Sequence, residues 1–212
     1  MAPSRAQTAR VRAELLQHAA RLFRQRGYTG TNIDDIMLAA GLTRGTFYAH
    51  FNSKDDLFTE VVSAGHGLLA KTRASGPHAA VADYLDKERL GPNALACTLA
   101  SLPGDVTRAS LAARLAYANT LYALIAELAR SRKRKLDGDA TILAILAIGA
   151  IVLARASGDR RLSDWVLRCA RRAAAPLLKP PASPSPRRSR SHRKAARARR
   201  AKRAARPRGG RA

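Results

Sequence analysis

The chain is short of several things, and each shortage narrows what it can be. Its 212 residues include two cysteines, Cys97 and Cys169. They lie far apart, with no CxxC pair and no Cys/His ligand spacing, so neither a disulfide scaffold nor a zinc module organises the fold, and a reducing cytoplasm fits best. Residues 1–7 hold no apolar stretch, so no secretory signal is expected. Aromatic residues make up 5% of the chain. The apolar content is carried by Ala, Leu, Ile and Val, a balance that favours helices. The sequence shows no phosphate-binding loop, metal cluster or nucleophile triad, so an enzyme is the weakest reading. His18, His66, His78 and His192 are scattered and build no convincing ligand pair with a second His, Cys, Asp or Glu, so neither metal nor cofactor is expected.

Acidic residues are missing altogether from 183–212, where 13 of the 39 Lys and Arg residues stand. Of the formal net charge of +24, that segment therefore holds +13 and the rest of the chain +11. Both parts call for a polyanion, nucleic acid first and an anionic membrane surface second. From Pro180 onward the composition turns to Pro, Ser, Arg and Ala with no large apolar residue, too little to offset the entropy of ordering, and 180–212 is expected to be a disordered basic tail. It reads as a solvated charge run, a sequence-independent DNA anchor or a membrane-surface patch, with DNA favoured.

What the chain has in quantity is helical punctuation. Across 8–26, Val11, Leu15, Ala19, Leu22 and Phe23 recur at the spacing of one helical stripe, and Gly27 supplies a stop. Thr31 with Asp34 three residues on suggests a capping box, followed by the stripe Ile33, Ile36, Met37 and Ala40. Gly41 suits a sharp left-handed turn. Thr43 is placed to cap a third helix bearing Phe47 and Phe51 one turn apart, and Ser53 with Asp56 repeats the capping pattern before Leu57, Phe58, Val61 and Val62. Beyond residue 65, Gly76, Pro77, Gly91, Pro92, Pro103 and Gly104 cut the chain into short helical pieces; longer helices are expected over 110–132, 138–156 and 163–178. The run 140–154 is apolar all round but shorter than the roughly 20 residues a bilayer span needs. Core or a contact with a second subunit is the expectation.

Two short helices around Gly41 satisfy the pattern of a helix-turn-helix. Phe47 and Phe51 point inward on the third helix, which leaves Arg44, Gly45, Tyr48 and Ala49 outward. Residues 27–58, GYTGTNIDDIMLAAGLTRGTFYAHFNSKDDLF, resemble the N-terminal domain of TetR-type repressors, and the resemblance covers about residues 8–65. It implies an all-α protein: a three-helix DNA-binding domain over 1–65, a helical effector-binding and dimerisation domain over 66–179, and then the tail. It also implies that Arg44, Gly45 and Tyr48 face base edges, while Thr31, Thr43, Thr46, His50 and Lys54 touch phosphates. The chemistry agrees: Arg can pair bidentately with guanine O6 and N7, a Tyr ring can pack on a thymine methyl, and hydroxyls at helix N-termini set register on phosphates without reading sequence. Met37, where the family carries a small residue, and Ala49, where an aromatic is frequent, depart from the pattern.

A weaker resemblance continues into CTLASLPGDV (97–106), IGAIVLARAS (148–157) and LSDWVL (162–167), which are similar to the C-terminal region of one TetR subgroup. It implies a homodimer through the last two long helices and an unidentified small-molecule effector. Tyr117, Tyr122 and Cys97 are the pocket candidates, Cys97 matching a position that is a reactive thiol in some relatives. Core packing is the competing reading for all three, and no Lys, Arg or His lies within several residues of Cys97. The expected function is sequence-specific, cytoplasmic transcription regulation on a double-stranded operator, with no membrane role. The alternative is an architectural chromosome-binding protein that relies on its tail.

Overall fold

The first turn of a helix leaves backbone N–H groups unpaired, and a side-chain oxygen just ahead of it can answer them. The computed structural model of the chain describes residues 4–64, 67–86, 90, 97–129 and 137–178, and such caps open most of its longer helices. Residues 180–212, the expected tail, lie outside that set. Among the described residues the architecture is all-α.

Helix α1 (Arg5–Arg26) is opened by Ser4, which accepts from Gln7 N at 3.2 Å, and is closed by Gly27 at φ 74°. Helix α2 (Ile33–Ala40) begins one residue later than the Thr31–Asp34 spacing suggests. Asn32 accepts from Asp35 N at 2.7 Å, and Asp35 accepts from Asn32 N at 3.2 Å. The reason is burial: Thr31 is 1% exposed and its hydroxyl donates to Gly27 O at 2.9 Å, leaving the cap to Asn32. Gly41 (φ 67°, ψ 28°) makes the left-handed turn into α3 (Arg44–Tyr48), a single turn long. Helix α4 (Lys54–Ser63) is opened by Ser53, which accepts from Asp56 N at 3.0 Å.

Helix α5 (Leu68–Tyr84) breaks where Gly76 (φ 79°, ψ 167°) precedes Pro77. The short α6 (Thr98–Ser101) and α7 (Pro103–Arg108) lead into α8 (Leu111–Leu128), α9 (Gly138–Ala156) and α10 (Arg160–Leu178). Residues 130–132, expected to continue α8, lie outside the described set. Helix α10 starts three residues ahead of 163 because Asp159 Oδ1 takes the N–H groups of Arg161 (2.7 Å) and Leu162 (3.1 Å). Ser163 is buried instead; its hydroxyl lies 2.6 Å from Ala154 O and ties α10 to the end of α9.

Two apolar cores result among the described residues. The first gathers Leu15 and Phe23 from α1, Ile36 and Met37 from α2, Phe47 and Phe51, and Leu57, Phe58 and Val61 from α4. It is completed by Leu102, Val106, Ala113 and Ala116, so its packing does not stop at residue 65. A domain of about sixty residues is marginal on its own, since it buries only about 60% of its unfolded surface. The second core joins Leu68, Leu99, Leu124, Leu143, Ala147, Ile151 and Leu167. Tyr117 on α8 packs against both.

At 19 residues α9 outruns the apolar stretch 140–154 and is, by length and composition, long enough to cross a bilayer. In this fold Leu143, Ala147, Ile151 and Ala154 bury one side of it in the second core, against α10 and α8. The other side leaves Ile142, Ile145, Val152 and Leu153 exposed, and α10 exposes Leu162 and Trp165.

Candidate nucleic-acid interface

Helix α3 is five residues long and cannot hold itself, because helix nucleation is unfavourable at that length. Its neighbours hold it from behind. Phe47 and Phe51 are buried with ring centroids 5.8 Å apart, and the Arg12 guanidinium lies 4.7 Å from the Phe51 centroid. Arg12 also pairs with Glu60, so α1, α4 and the segment that follows α3 are tied behind the short helix.

The opposite face carries Arg44, Gly45 and Tyr48, all exposed. A Cβ built on Gly45 would meet nothing within 4 Å. No close contact inside the protein therefore calls for glycine there, although glycine within a helix costs roughly 0.5–1 kcal/mol relative to alanine. Arg44 Nη1 donates to Asp34 Oδ2 at 3.1 Å across the turn. Leu38, one helical turn after Asp34, is 82% exposed; sequence reasoning passed it over because it falls outside the apolar stripe of α2.

The residues expected at phosphates divide into two sets. Thr43 and Thr46 stand at the N-terminus of α3 with their hydroxyl oxygens 3.2 Å apart, and His50 is half-exposed just past its end. Thr31 is turned inward, as described above. Lys54 is turned inward too: its Nζ donates to Tyr28 O and Thr31 O, each at 3.0 Å, and lies 4.1 Å from the centroid of the Tyr28 ring. Lys54 thus ties α4 to the loop ahead of α2, a role its place beside a capping serine gave no sign of.

The pocket candidates divide as well. Cys97 is buried, and the fold brings to it residues that are remote in sequence: Arg24 of α1, Tyr84 of α5, Tyr117 of α8 and Arg155 of α9 all interact with it electrostatically. Burial pushes the phenols of Tyr84 and Tyr117 above their usual value, with the neighbouring Cys97 adding to the rise. Burial lowers the pKa of Arg24 and Arg155, and Cys97 opposes that in both. Tyr117 donates its hydroxyl to Leu99 O at 2.8 Å. Tyr122 points elsewhere: five residues on, it lies well round the helix from Tyr117 and is exposed. Gly67 (φ 87°), just ahead of α5, approaches Cys97 so closely that a Cβ would come within 2.6 Å of Cys97 Cα and Cβ.

The family model described as bacterial regulatory proteins, tetR family, matches residues 15–61. Over 50 residues the chain is 48% identical to the HTH-type transcriptional regulator AcrR of Shigella flexneri, covering 24% of this chain and 23% of that one. Over 51 residues it is 45% identical to the HTH-type transcriptional repressor KstR2 of Rhodococcus jostii, covering 24% and 25%. The matched stretches thus span about a quarter of these relatives. Among solved structures, the reduced form of NemR from E. coli superposes with a TM-score of 0.65 at 23% identity, over 82% of this chain and 99% of that one. A TetR-family regulator from Cytophaga hutchinsonii gives 0.59 at 21% identity, over 84% and 96%. At such identities the likeness is one of fold. The tetR signature thus lies on residues 15–61, and the fold is shared with solved tetR-family proteins over most of their length.

Proposed function

We infer that the chain is a sequence-specific DNA-binding transcription regulator that works in the cytoplasm as a homodimer and leaves its operator when a small molecule binds its body. The observation that carries the reading is the short α3, fixed from behind by Phe47 and Phe51, with Arg44, an unhindered Gly45 and Tyr48 left outward. Such a helix can enter a major groove, its bare glycine admitting close approach and its Arg and Tyr meeting base edges. Thr43, Thr46 and His50 are placed to meet phosphates, whereas Thr31 and Lys54 serve by holding the loop that carries α2. Repression is favoured as the sense of regulation because KstR2, matched through this same segment, is a transcriptional repressor.

The exposed apolar residues of α9 and α10 support self-association. Ile142, Ile145, Val152 and Leu153 fall on one side of α9, α10 exposes Leu162 and Trp165, and a second copy would remove them from water. The surroundings of Cys97 support an effector site, in which Tyr84, Tyr117, Arg24 and Arg155 join the thiol. Tyr117 abuts both cores, so a ligand beside it can bias how the DNA-reading helices sit. The basic segment 183–212 adds affinity of the sequence-independent kind.

Selecting bound duplexes from a random pool tests the reading. A two-fold symmetric site with half-sites about one helical turn apart is expected, its binding lost in the double variant Arg44→Ala with Tyr48→Ala. A pool that yields no preferred sequence, binding that survives the double variant, or a monomer at micromolar concentration overturns it.

A further inference from the structure

The ion pair between Asp34 and Arg44 joins the two helices of the turn at 3.1 Å, with both side chains 62% exposed. The fold has little use for it. Helix α2 is capped by Asn32 and Asp35, Asp35 being the carboxylate committed to that duty, and α3 is held by Phe47 and Phe51. Exposed pairs of this kind add little to stability. The pair nevertheless stands at the front of the outward face, next to Gly45.

Its chemistry is selective. Asp34 engages one nitrogen of the guanidinium, Nη1, and a guanidinium carries five N–H donors in a rigid plane. The remaining donors can meet guanine O6 and N7 while the carboxylate stays in place. Guanine's acceptors are neutral and tolerate a nearby carboxylate. A phosphate is an anion, and seating it on the same guanidinium sets two like charges within a few ångströms of each other.

The geometry points to Asp34 as a specificity-determining residue, a buttress that holds the Arg44 guanidinium in plane for a guanine edge and keeps phosphates off it. This rests on the reading of residues 31–54 as the DNA-binding segment. In a chain of net charge +24, such a carboxylate matters because almost any outward arginine would otherwise find DNA backbone.

The test uses the full-length protein, the site selected by the wild type and a scrambled duplex of equal length. In Asp34→Asn, affinity for the scrambled duplex should rise severalfold, and its dependence of log K on log salt should steepen by about 0.9, the signature of one added phosphate contact. The preference for the selected site over the scrambled one should fall by about tenfold, in the range that one bidentate base contact supplies. Asp34→Glu should recover part of the preference, and selection with Asp34→Asn should relax guanine at one position per half-site. In an Arg44→Ala background, Asp34→Asn should leave the preference unchanged.

Equal gains on both duplexes would mean that Asp34 acts by bulk charge alone and would overturn the inference, as would an undiminished effect without Arg44. Failure of the wild type to select any site overturns the regulator reading instead, so the two failures are distinguishable.

Discussion

Lys54 holds Tyr28 twice: its ammonium donates to the Tyr28 carbonyl at 3.0 Å and lies 4.1 Å from the centroid of the same residue's ring. Thr31 O takes a further bond at 3.0 Å. Lys54→Ala should therefore destabilise the protein by about 2 kcal/mol in denaturant titration, the scale of a lost charged hydrogen bond plus a cation–π contact. The salt dependence of operator binding should stay as in the wild type. A slope shallower by about one unit, with stability unchanged, would mean that Lys54 meets phosphate after all.

Gly45 and Gly67 should respond to alanine with opposite signs. At Gly45 a Cβ finds open space within α3, so Gly45→Ala should gain roughly 0.5–1 kcal/mol of stability while operator affinity falls. At Gly67 the backbone is left-handed and the Cβ would strike Cys97, so Gly67→Ala should cost more than about 1 kcal/mol. Thermal melts read both. Undiminished operator affinity in Gly45→Ala would remove the argument that the groove needs that space.

Leu102 is fully buried in the first core although it lies in the connection between α6 and α7. Leu102→Ala should destabilise by about 2–5 kcal/mol, the cost of a cavity in a packed core. Faster amide exchange should appear in α1 and α4, far from it in sequence, together with weaker operator binding.

The raised phenol pKa values set an alkaline limit. A group that holds its proton more firmly when folded stabilises the fold below its unfolded pKa, here near the ordinary phenol value of 10, and that stability is lost as pH rises beyond it. Stability should therefore fall above about pH 10. Tyr84→Phe and Tyr117→Phe should each flatten that limb, as read by unfolding followed through phenolate absorbance. An unaltered limb in both variants would contradict the burial of these phenols.

Deleting 183–212 should lower affinity for all duplexes and make the salt slope shallower while leaving the preferred sequence as it was. If nearly all binding vanished with the deletion, the architectural reading would replace the regulator.

The local grammar was legible before the fold. Gly27, Gly41 and Ser53 act as stop, turn and cap because each depends on a few neighbouring residues. The inward rings of Phe47 and Phe51 follow from helical phase in the same way. What escaped depends on distance or depth. Thr31 and Asn32 can both cap a helix, and only burial, a tertiary property, hands the role to Asn32. Lys54 reads as a free charge because its carbonyl partners lie 23 and 26 residues earlier. Cys97 has no basic neighbour in sequence, yet Arg24 and Arg155 reach it from α1 and α9. Tyr117 and Tyr122 look alike on paper, and helical phase sends one to the core and the other to water.

The sharing of the first core has a practical side for anyone who would transplant it. Leu102, Val106, Ala113 and Ala116 complete the core formed by α1, α2 and α4. A chimera that borrows only residues 1–65 would inherit a hole four side chains wide, fitted to whatever shape the host presents. Residues 102–116 are in effect the socket of that module, and any transplant of α1 to α4 has to carry the socket with it.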